Sequence, residues 1–371
     1  MVKLAFLVTE DWVFISHRLP LALAARGVGL KPVVITRCRD HRTLIESHGL
    51  RTINYEMNRR GVTPFGVFIE TIKLWQIYRK EKPDVLHHIA LRPVVVGGLA
   101  AKLSGQRCVL ATLTGLGFLF TGQRINSFIS RALGLLLPWL LNASIVVVQN
   151  TEDFDTMSKL GVPQAQLRLI RGSGVNTDKF QPAPLPDGPP IVMLHARMLW
   201  DKGVKEFVEA AKILINRGSK ARFVLIGEPD PDNPATVPLD IWDKWKKEGV
   251  VECWGQKNEM AQILTQASIV CLPSYREGLP KSLLEALACG RPCVTTDASG
   301  CREAVCDGEN GLIVPVRDAE ALANAIERLL KNPEERSKMG LKGRQRALAE
   351  FDEKIIIKQN LDLYAEVLAK L

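Results

Sequence analysis

The feature that most constrains the fold is a repeated alternation of short β-branched apolar runs with longer amphipathic stretches. This alternation is typical of parallel sheets whose strands are joined by helices. It occurs in two series, which the proline-rich segment Gln181–Pro190 separates. We therefore predict an α/β protein of two doubly wound, Rossmann-like domains, for which 371 residues are long enough.

The apolar runs predict strands in both series. Those of the first series are KLAFLVT, KPVVITR, DVLHHIA, CVLATLT and SIVVVQN. Those of the second are PIVMLHA, RFVLIGE, GVVECWG, SIVCLPS, RPCVTTD and GLIVPV. The predicted helices are HRLPLALAARG, FGVFIETIKLWQIYRKE, VGGLAAKLSG, KEFVEAAKILINRG, EMAQILTQA, SLLEALACG and EALANAIERLLK. These patterns place the domains at residues 1–172 and 173–350, with a last helix in 351–371 that folds back toward the first domain.

The most apolar stretch, Ala132–Gln149, has about the length of a membrane span. Pro138, Asn142 and Ser144 divide it, and IVVV is typical of a buried parallel strand. We therefore predict a helix followed by a strand, and no transmembrane helix. The first residues lack the apolar core and cleavage site of a secretory signal.

Charge and cysteine usage narrow the classes of function. Residues 1–175 contain 22 Lys+Arg against 11 Asp+Glu, whereas the rest contains 27 against 29. A basic first half attracts anionic lipid, phosphorylated ligands or nucleic acid, unless its charges are simply spread over a solvated surface. The eight cysteines include no CxxC pair, which favours buried free thiols in a reducing cytosol over a metal site.

The segment YREGLPKSLLEALACGRPCVTTD carries the first candidate site. Glu277 and Glu285 flank a strand-to-helix turn that contains Gly278, Leu279 and Pro280, and Pro280 suits the first helical turn. The free amides of such a turn bind anions, and carboxylates accept hydrogen bonds from sugar hydroxyls. The alternative is a capped helix with a solvated face.

Two further segments carry cations and glycines. In HARMLWDKGVKEFVEAA, Arg197 and Lys202 follow a strand and precede a helix that Gly203 opens. Two cations at a strand's carboxyl end can balance a diphosphate, although they can also be ordinary surface charges. In RGSGVNTDKF, Gly172 and Gly174 allow a ligand to approach the backbone, or form a structural turn.

The segments RMLWDKG, SYREGLPKSLLEALACGRPCVTTD, GCREAV and NGLIVP resemble the family 4 glycosyltransferases. Within that family the chain resembles the bacterial branch that builds capsule, lipopolysaccharide and N-glycan precursors. The resemblance covers nearly the whole chain. It implies a GT-B fold, in which two Rossmann-like domains face a central cleft. It also implies a nucleotide-sugar donor, by family habit a UDP-sugar, with no metal and no other cofactor.

The resemblance also implies roles for the candidate residues. Arg197 and Lys202 would hold the diphosphate, Glu277 the donor sugar, and Glu285 the ribose. The amides of Gly278 and Leu279 would contact phosphate or sugar, and Gly172 and Gly174 would face the donor. The implied reaction is a retaining front-face displacement, in which the acceptor hydroxyl attacks on the side that the nucleotide leaves.

The first half contributes candidates for acceptor or sugar contacts. In PDVLHHIALRPVVVGGLAAK, which resembles a segment of the same family, these candidates are His87, His88 and Arg92. Thr114 is another candidate for such a contact; it stands where many relatives carry a histidine, so the resemblance does not supply a catalytic histidine here. His17 is a further candidate. Each of these histidines could instead be structural.

The implied acceptor is a polyprenyl-diphosphate-linked saccharide at the cytoplasmic face of the cell membrane. Basic residues beside apolar helix faces would rest on anionic lipid. These residues are Arg59, Arg60, Lys73, Arg79, Lys80, Arg124 and Arg131.

Two other functions fit the same architecture. A UDP-sugar 2-epimerase would convert the donor without an acceptor, and a non-catalytic protein would bind a nucleotide sugar without turnover. A nucleic-acid function is disfavoured, because the basic residues lack interleaved aromatics and a recognition helix.

Overall fold

A computed structural model describes residues 1–57, 63–116 and 127–369, without the side chains of 127–133. The chain divides into two compact units. The first combines Met1–Ser173 with Lys354–Leu371, and the second is Gly174–Glu353.

The first unit contains a seven-stranded parallel sheet in the order β3-β2-β1-β4-β5-β6-β7. Its strands are β1 (Lys3–Glu10), β2 (Lys31–Arg37), β3 (Arg51–Asn54), β4 (Val85–Ile89), β5 (Val109–Leu113), β6 (Ile145–Val148) and β7 (Leu167–Leu169). Its helices include α1 (Asp11–His17), α2 (Leu19–Gly27), α3 (Arg42–Ser47), α4 (Pro64–Glu81), α5 (Leu91–Leu103), α6 (Ser127–Leu141) and α7 (Thr151–Lys159).

The five strands predicted for this unit are confirmed, because buried parallel strands are apolar on both faces. The strands β3 and β7 were missed, since RTIN and LRL are short, partly polar and lie at the two sheet edges. The helix predicted from His17 is divided at Arg18, where α1 ends and α2 begins with Pro20 in its first turn.

The second unit contains a six-stranded parallel sheet in the order β10-β9-β8-β11-β12-β13. All six predicted strands are confirmed: β8 (Ile191–His195), β9 (Arg222–Ile226), β10 (Glu252–Gly255), β11 (Ile269–Leu272), β12 (Cys293–Thr296) and β13 (Gly311–Val314). Its helices are α8 (Val204–Asn216), α9 (Leu239–Glu248), α10 (Met260–Leu264), α11 (Lys281–Ala288), α12 (Ser299–Ala304), α13 (Ala319–Lys331) and α14 (Pro333–Arg346).

The last helix, α15 (Glu353–Leu368), completes the core of the first unit. It buries Ile356, Leu363, Tyr364 and Val367 among the side chains of β1, β4 and α2. The first core therefore requires residues from both ends of the chain.

The apolar stretch that spans residues 132–149 forms the end of α6 and then β6, as predicted. In the part of the chain that the structure describes, no helix is long and apolar enough to cross a bilayer.

Each sheet has one point at which the strand order reverses. In the first sheet this point lies between β1 and β4, and in the second it lies between β8 and β11. Doubly wound sheets bind ligands beyond the carboxyl ends of the strands that meet at such a point. We therefore expect side chains that follow β8 and β11 to contribute to a ligand-binding site.

Candidate functional site

The loops that follow β8 and β11 lie against each other. A helical turn, Trp200–Lys202, follows β8 and ends at Gly203, whose φ is +69°. A Cβ added at Gly203 would lie 2.0 Å from the carbonyl oxygen of Pro273, which follows β11. Only glycine allows this approach, and it brings Lys202 close to the β11 loop.

Lys202 forms an ion pair with Glu277, which the sequence placed on the opposite loop. Ser274 donates a hydrogen bond of 2.7 Å to Oε1 of the same carboxylate. The Lys202 and Glu277 side chains are 21% and 11% exposed, so both are largely buried but accessible. A lysine in this position can exchange one carboxylate for another anion.

A second cation, Arg197, lies at the carboxyl end of the same strand. Its Nη1 is 3.0 Å from Oδ2 of Asp230, a residue that follows β9. The Arg197 side chain is 40% exposed, which leaves its guanidinium within reach of a ligand. Asp230 was not a candidate in the sequence, because nothing in its own segment indicates that it meets Arg197.

The other predicted carboxylate, Glu285, lies on α11 and faces His195, the last residue of β8. Nδ1 of His195 is 3.7 Å from Oε2 of Glu285. Burial raises the pKa of Glu285 to about 7, although Lys281 and Lys179 oppose the shift. Burial also lowers the pKa of His195 to about 4, and Lys281 adds to that effect. At neutral pH the imidazole is therefore uncharged and the carboxyl group is only partly ionised.

The turn between Glu277 and α11 is fixed by a close backbone contact. A Cβ added at Gly300 would lie 2.4 Å from the carbonyl oxygen of Gly278. Leu279 is nearly buried, and α11 begins at Lys281. Pro280 is the N-cap residue of α11, one position before the first turn where it was predicted.

The two glycines of RGSGV have positive φ angles, +72° at Gly172 and +74° at Gly174. A Cβ added at Gly174 would lie 2.6 Å from Cα of Glu353. The amide of Val175 donates to the carbonyl oxygen of Phe351 at 2.8 Å. Gly174 is therefore required for packing within the second unit.

The histidine candidate of β4, His87, lies in the core of the first unit. It has no exposed surface, and its Nδ1 is 2.7 Å from the hydroxyl of Tyr364. Its Nε2 is 2.8 Å from the hydroxyl of Thr112. Both ring nitrogens have partners in the core, which favours the structural alternative for His87 over a sugar contact. His88 is also buried, and its Nε2 is 3.0 Å from the hydroxyl of Tyr78.

Three other candidates belong to the first unit. Arg92 on α5 forms an ion pair with Glu70 on α4, with Nη2 2.7 Å from Oε1. Thr114 is exposed and directly follows β5. His17 ends α1, and its Nδ1 is 2.5 Å from the hydroxyl of Ser16.

Apolar side chains are exposed on α4 and α6, which both pack against α5. They are Phe65, Phe68 and Ile69 on α4, and Leu135 and Trp139 on α6. Of the basic residues named with these helices, Lys73, Arg79 and Lys80 lie on α4. Arg59, Arg60 and Arg124 lie outside the described residues, as does the side chain of Arg131.

No group of three or more potential metal ligands occurs among the described residues. The eight cysteines form no disulfide, and five of them are buried.

Two doubly wound units, one with cations and carboxylates at its reversal point, define the GT-B class of protein. Solved structures share this fold over their whole length. A sucrose-phosphate synthase from Thermosynechococcus elongatus superposes with a TM-score of 0.81 at 24% identity, and each chain is covered completely. Anabaena HepE, in complex with UDP and glucose, gives 0.79 at 18% identity with the same coverage.

The chain belongs to family 4 of the glycosyltransferases. Residues 175–346 match the family described as "Glycosyl transferases group 1", and residues 3–151 match "Glycosyl transferase 4-like".

Two curated relatives are similar over most of the chain. The N,N'-diacetylbacillosaminyl-diphospho-undecaprenol alpha-1,3-N-acetylgalactosaminyltransferase of Campylobacter jejuni is 30% identical, over 96% of this chain and 98% of its own. The UDP-Gal:alpha-D-GlcNAc-diphosphoundecaprenol alpha-1,3-galactosyltransferase of Escherichia coli is 25% identical, over 70% of this chain and 69% of its own. This chain is accordingly a glycosyltransferase.

Proposed function

We propose that this enzyme transfers a hexose or N-acetylhexosamine from a UDP-sugar to a polyprenyl-diphosphate-linked saccharide, with retention of configuration. The observation that carries the proposal is the Lys202–Glu277 pair beside Arg197 at the β8/β11 reversal point. The named activities of the Campylobacter and Escherichia relatives support the acceptor class, and the UDP bound by Anabaena HepE supports the nucleotide.

In this proposal the diphosphate takes the place that carboxylates hold in the free enzyme. Lys202 leaves Glu277, and Arg197 leaves Asp230, so both cations turn to the phosphate oxygens. As the bond to the sugar breaks, negative charge grows on the leaving diphosphate, and the same cations stabilise it. The diphosphate accepts the proton of the attacking acceptor hydroxyl, so the protein needs no separate base.

The released Glu277 carboxylate then accepts hydrogen bonds from hydroxyls of the donor sugar, and Ser274 keeps it oriented. The amides of Gly278 and Leu279 contact phosphate or sugar. This exchange of partners links donor binding to the orientation of the sugar.

Glu285 binds the ribose hydroxyls as a carboxylate, because the ionised form accepts a hydrogen bond at each oxygen. Its raised pKa of about 7 means that part of the population is protonated in the free enzyme at neutral pH. Donor binding therefore releases protons near pH 7 and becomes tighter as the pH rises through this range.

The acceptor requires the enzyme to work at a lipid surface, which we propose is the inner face of the cell membrane. Exposed Phe65 and Phe68 on α4, and Trp139 on α6, supply an apolar face with basic residues beside it. Replacing both phenylalanines with serine should reduce co-sedimentation with anionic vesicles. Unchanged co-sedimentation would contradict the proposed membrane face.

The test is UDP release by the purified protein over a panel of UDP- and GDP-sugars that begins with UDP-N-acetylgalactosamine. Each donor is supplied with and without a short polyprenyl-diphosphate-linked sugar. We expect release from one UDP-sugar that depends on the acceptor and is lost in Glu277→Ala. Donor conversion without acceptor would favour the epimerase, and donor binding without release would favour a non-catalytic protein.

A further inference from the structure

Arg18 lies between α1 and α2 of the first unit and is 3% exposed. Within the described residues its guanidinium makes no hydrogen bond and no ion pair, and its Nε is fully buried without a partner. No carboxylate influences its pKa, which burial lowers to about 10 and the phenol of Tyr364 raises slightly. The side chain is still positively charged at neutral pH.

A buried charge without a counter-ion is unfavourable, because the folded chain does not replace its lost hydration. The titratable groups that interact electrostatically with Arg18 do not supply an anion. Burial raises the pKa of Tyr364 and lowers that of His87, so both are uncharged at neutral pH. The first unit therefore holds a cation whose counter-charge must come from outside its described residues.

Arg18 lines a small pocket that opens to solvent. Ser173 and Asn360 contribute its other polar walls, and His17 lies at its side. The helix α2, nine residues long, starts at this pocket without a side-chain cap. Its dipole and the amides of Leu19 and Leu21 also favour negative charge, whereas Pro20 has no amide to offer. An oxyanion that enters the pocket would meet the guanidinium and the amino end of a helix together.

We propose that the Arg18 pocket binds a phosphate oxyanion of one of the two diphosphate substrates. The inference rests on the proposed function, because that function supplies the diphosphates. A planar guanidinium can form two parallel hydrogen bonds to a phosphate, and phosphate neutralises the buried charge. The phosphate belongs either to the nucleotide sugar or to the lipid-linked acceptor, and steady-state kinetics distinguish the two sources.

The experiment compares wild type with Arg18→Gln, which removes the charge, and Arg18→Lys, which keeps the charge without the planar group. Arg26→Gln is the matched control: Arg26 lies on the same helix, is exposed and bonds the carbonyl oxygen of His48. We expect Arg18→Gln to raise the KM of one diphosphate substrate by about 30-fold, with Arg18→Lys between it and wild type. The KM of the other substrate should stay within about twofold, and Arg26→Gln should match wild type.

Which KM rises identifies the source of the phosphate, and either result supports the proposal. Unchanged KM values for both substrates in Arg18→Gln would overturn it, provided that wild type is active. An inactive wild type would instead contradict the proposed function.

Thermal unfolding separates a binding role from a structural one. Removing an unpaired buried charge should leave the Tm of Arg18→Gln equal to or above that of wild type. A Tm that falls in both Arg18 variants, with both KM values unchanged in Arg18→Lys, would assign Arg18 to folding and overturn the proposal.

Discussion

The two units share one strand arrangement but differ in the side chains beside the point where it reverses. Beside β1, the strand β4 carries His87 and His88, which are fully buried and bonded to core hydroxyls. Beyond β8 and β11, Lys202 and Glu277 pair at a partly exposed surface. The topology therefore provides a reversal point in both units. The burial of the side chains beside it determines which charged or polar groups can bind a ligand.

The largest effect on activity should follow from removing the Lys202 ammonium group in the second unit. Lys202→Ala is expected to lower kcat/KM by about 1,000-fold, because the growing charge on the diphosphate loses its counter-ion. Lys205→Ala is the control, since Lys205 is exposed on α8 and pairs with Glu209 on the same helix at 3.6 Å. Steady-state UDP release measures the kcat/KM of both variants. A Lys202→Ala enzyme with full activity would show that the active site does not lie at the carboxyl ends of β8 and β11.

The next effect concerns Glu285. Glu285→Gln should weaken donor binding by about tenfold, because the amide accepts fewer hydrogen bonds from the ribose. Calorimetric titration with UDP measures this change. Binding as tight as in wild type would contradict the ribose assignment.

The same variant gives a pH test of stability. The folded protein keeps the Glu285 proton up to about pH 7, whereas the unfolded chain releases it near pH 4.5. Wild-type stability therefore falls as the pH rises through this window, by at most about 3 kcal/mol. Glu285→Gln should be more stable than wild type at pH 8, and this difference should vanish at pH 4. A constant difference at all pH values would contradict the raised pKa.

A smaller effect on activity, but a large one on folding, is expected at His87. His87→Ala leaves the hydroxyls of Tyr364 and Thr112 without partners and opens a cavity in the core. The free energy of unfolding should fall by about 3 kcal/mol, with kcat/KM of the folded enzyme within about threefold of wild type. Denaturant unfolding measures the loss, and Tyr364→Phe completes a double-mutant cycle. A stable but inactive His87→Ala enzyme would show that the side chains of β4 in the first unit take part in catalysis.

The smallest effect is expected at Thr114, which is exposed after β5 and forms no part of either charged pair. Thr114→Ala should change kcat/KM by no more than about twofold, since an exposed hydroxyl contributes little when water can replace it. A 100-fold loss would show that Thr114 performs the function of the histidine that many relatives carry.

The sequence predicted the architecture well because its decisive signals are local. Buried strands such as β6 (IVVV) are apolar along their whole length, and the glycine that opens α8 lies beside Lys202. The proposed donor residues could be selected in the same way, since Lys202 and Glu277 each follow a predicted strand.

The remaining contacts depend on tertiary packing. Asp230 pairs with Arg197, which is 33 positions away in the sequence. The sequence around His195 indicates only the end of an apolar strand, and its contact with Glu285 on α11 depends on the fold. The burial of His87 depends on Tyr364, which is 277 positions away, so no local pattern could separate a structural histidine from a binding one.

Calorimetric titration with UDP measures whether the donor nucleotide binds through Lys202 at the carboxyl ends of β8 and β11. The comparison is between wild type, Lys202→Ala and Arg92→Ala, which breaks the ion pair with Glu70 in the first unit. We expect Lys202→Ala to weaken UDP binding by at least about tenfold, whereas folded Arg92→Ala should bind like wild type. Loss of UDP binding in Arg92→Ala with unchanged binding in Lys202→Ala would contradict this expectation.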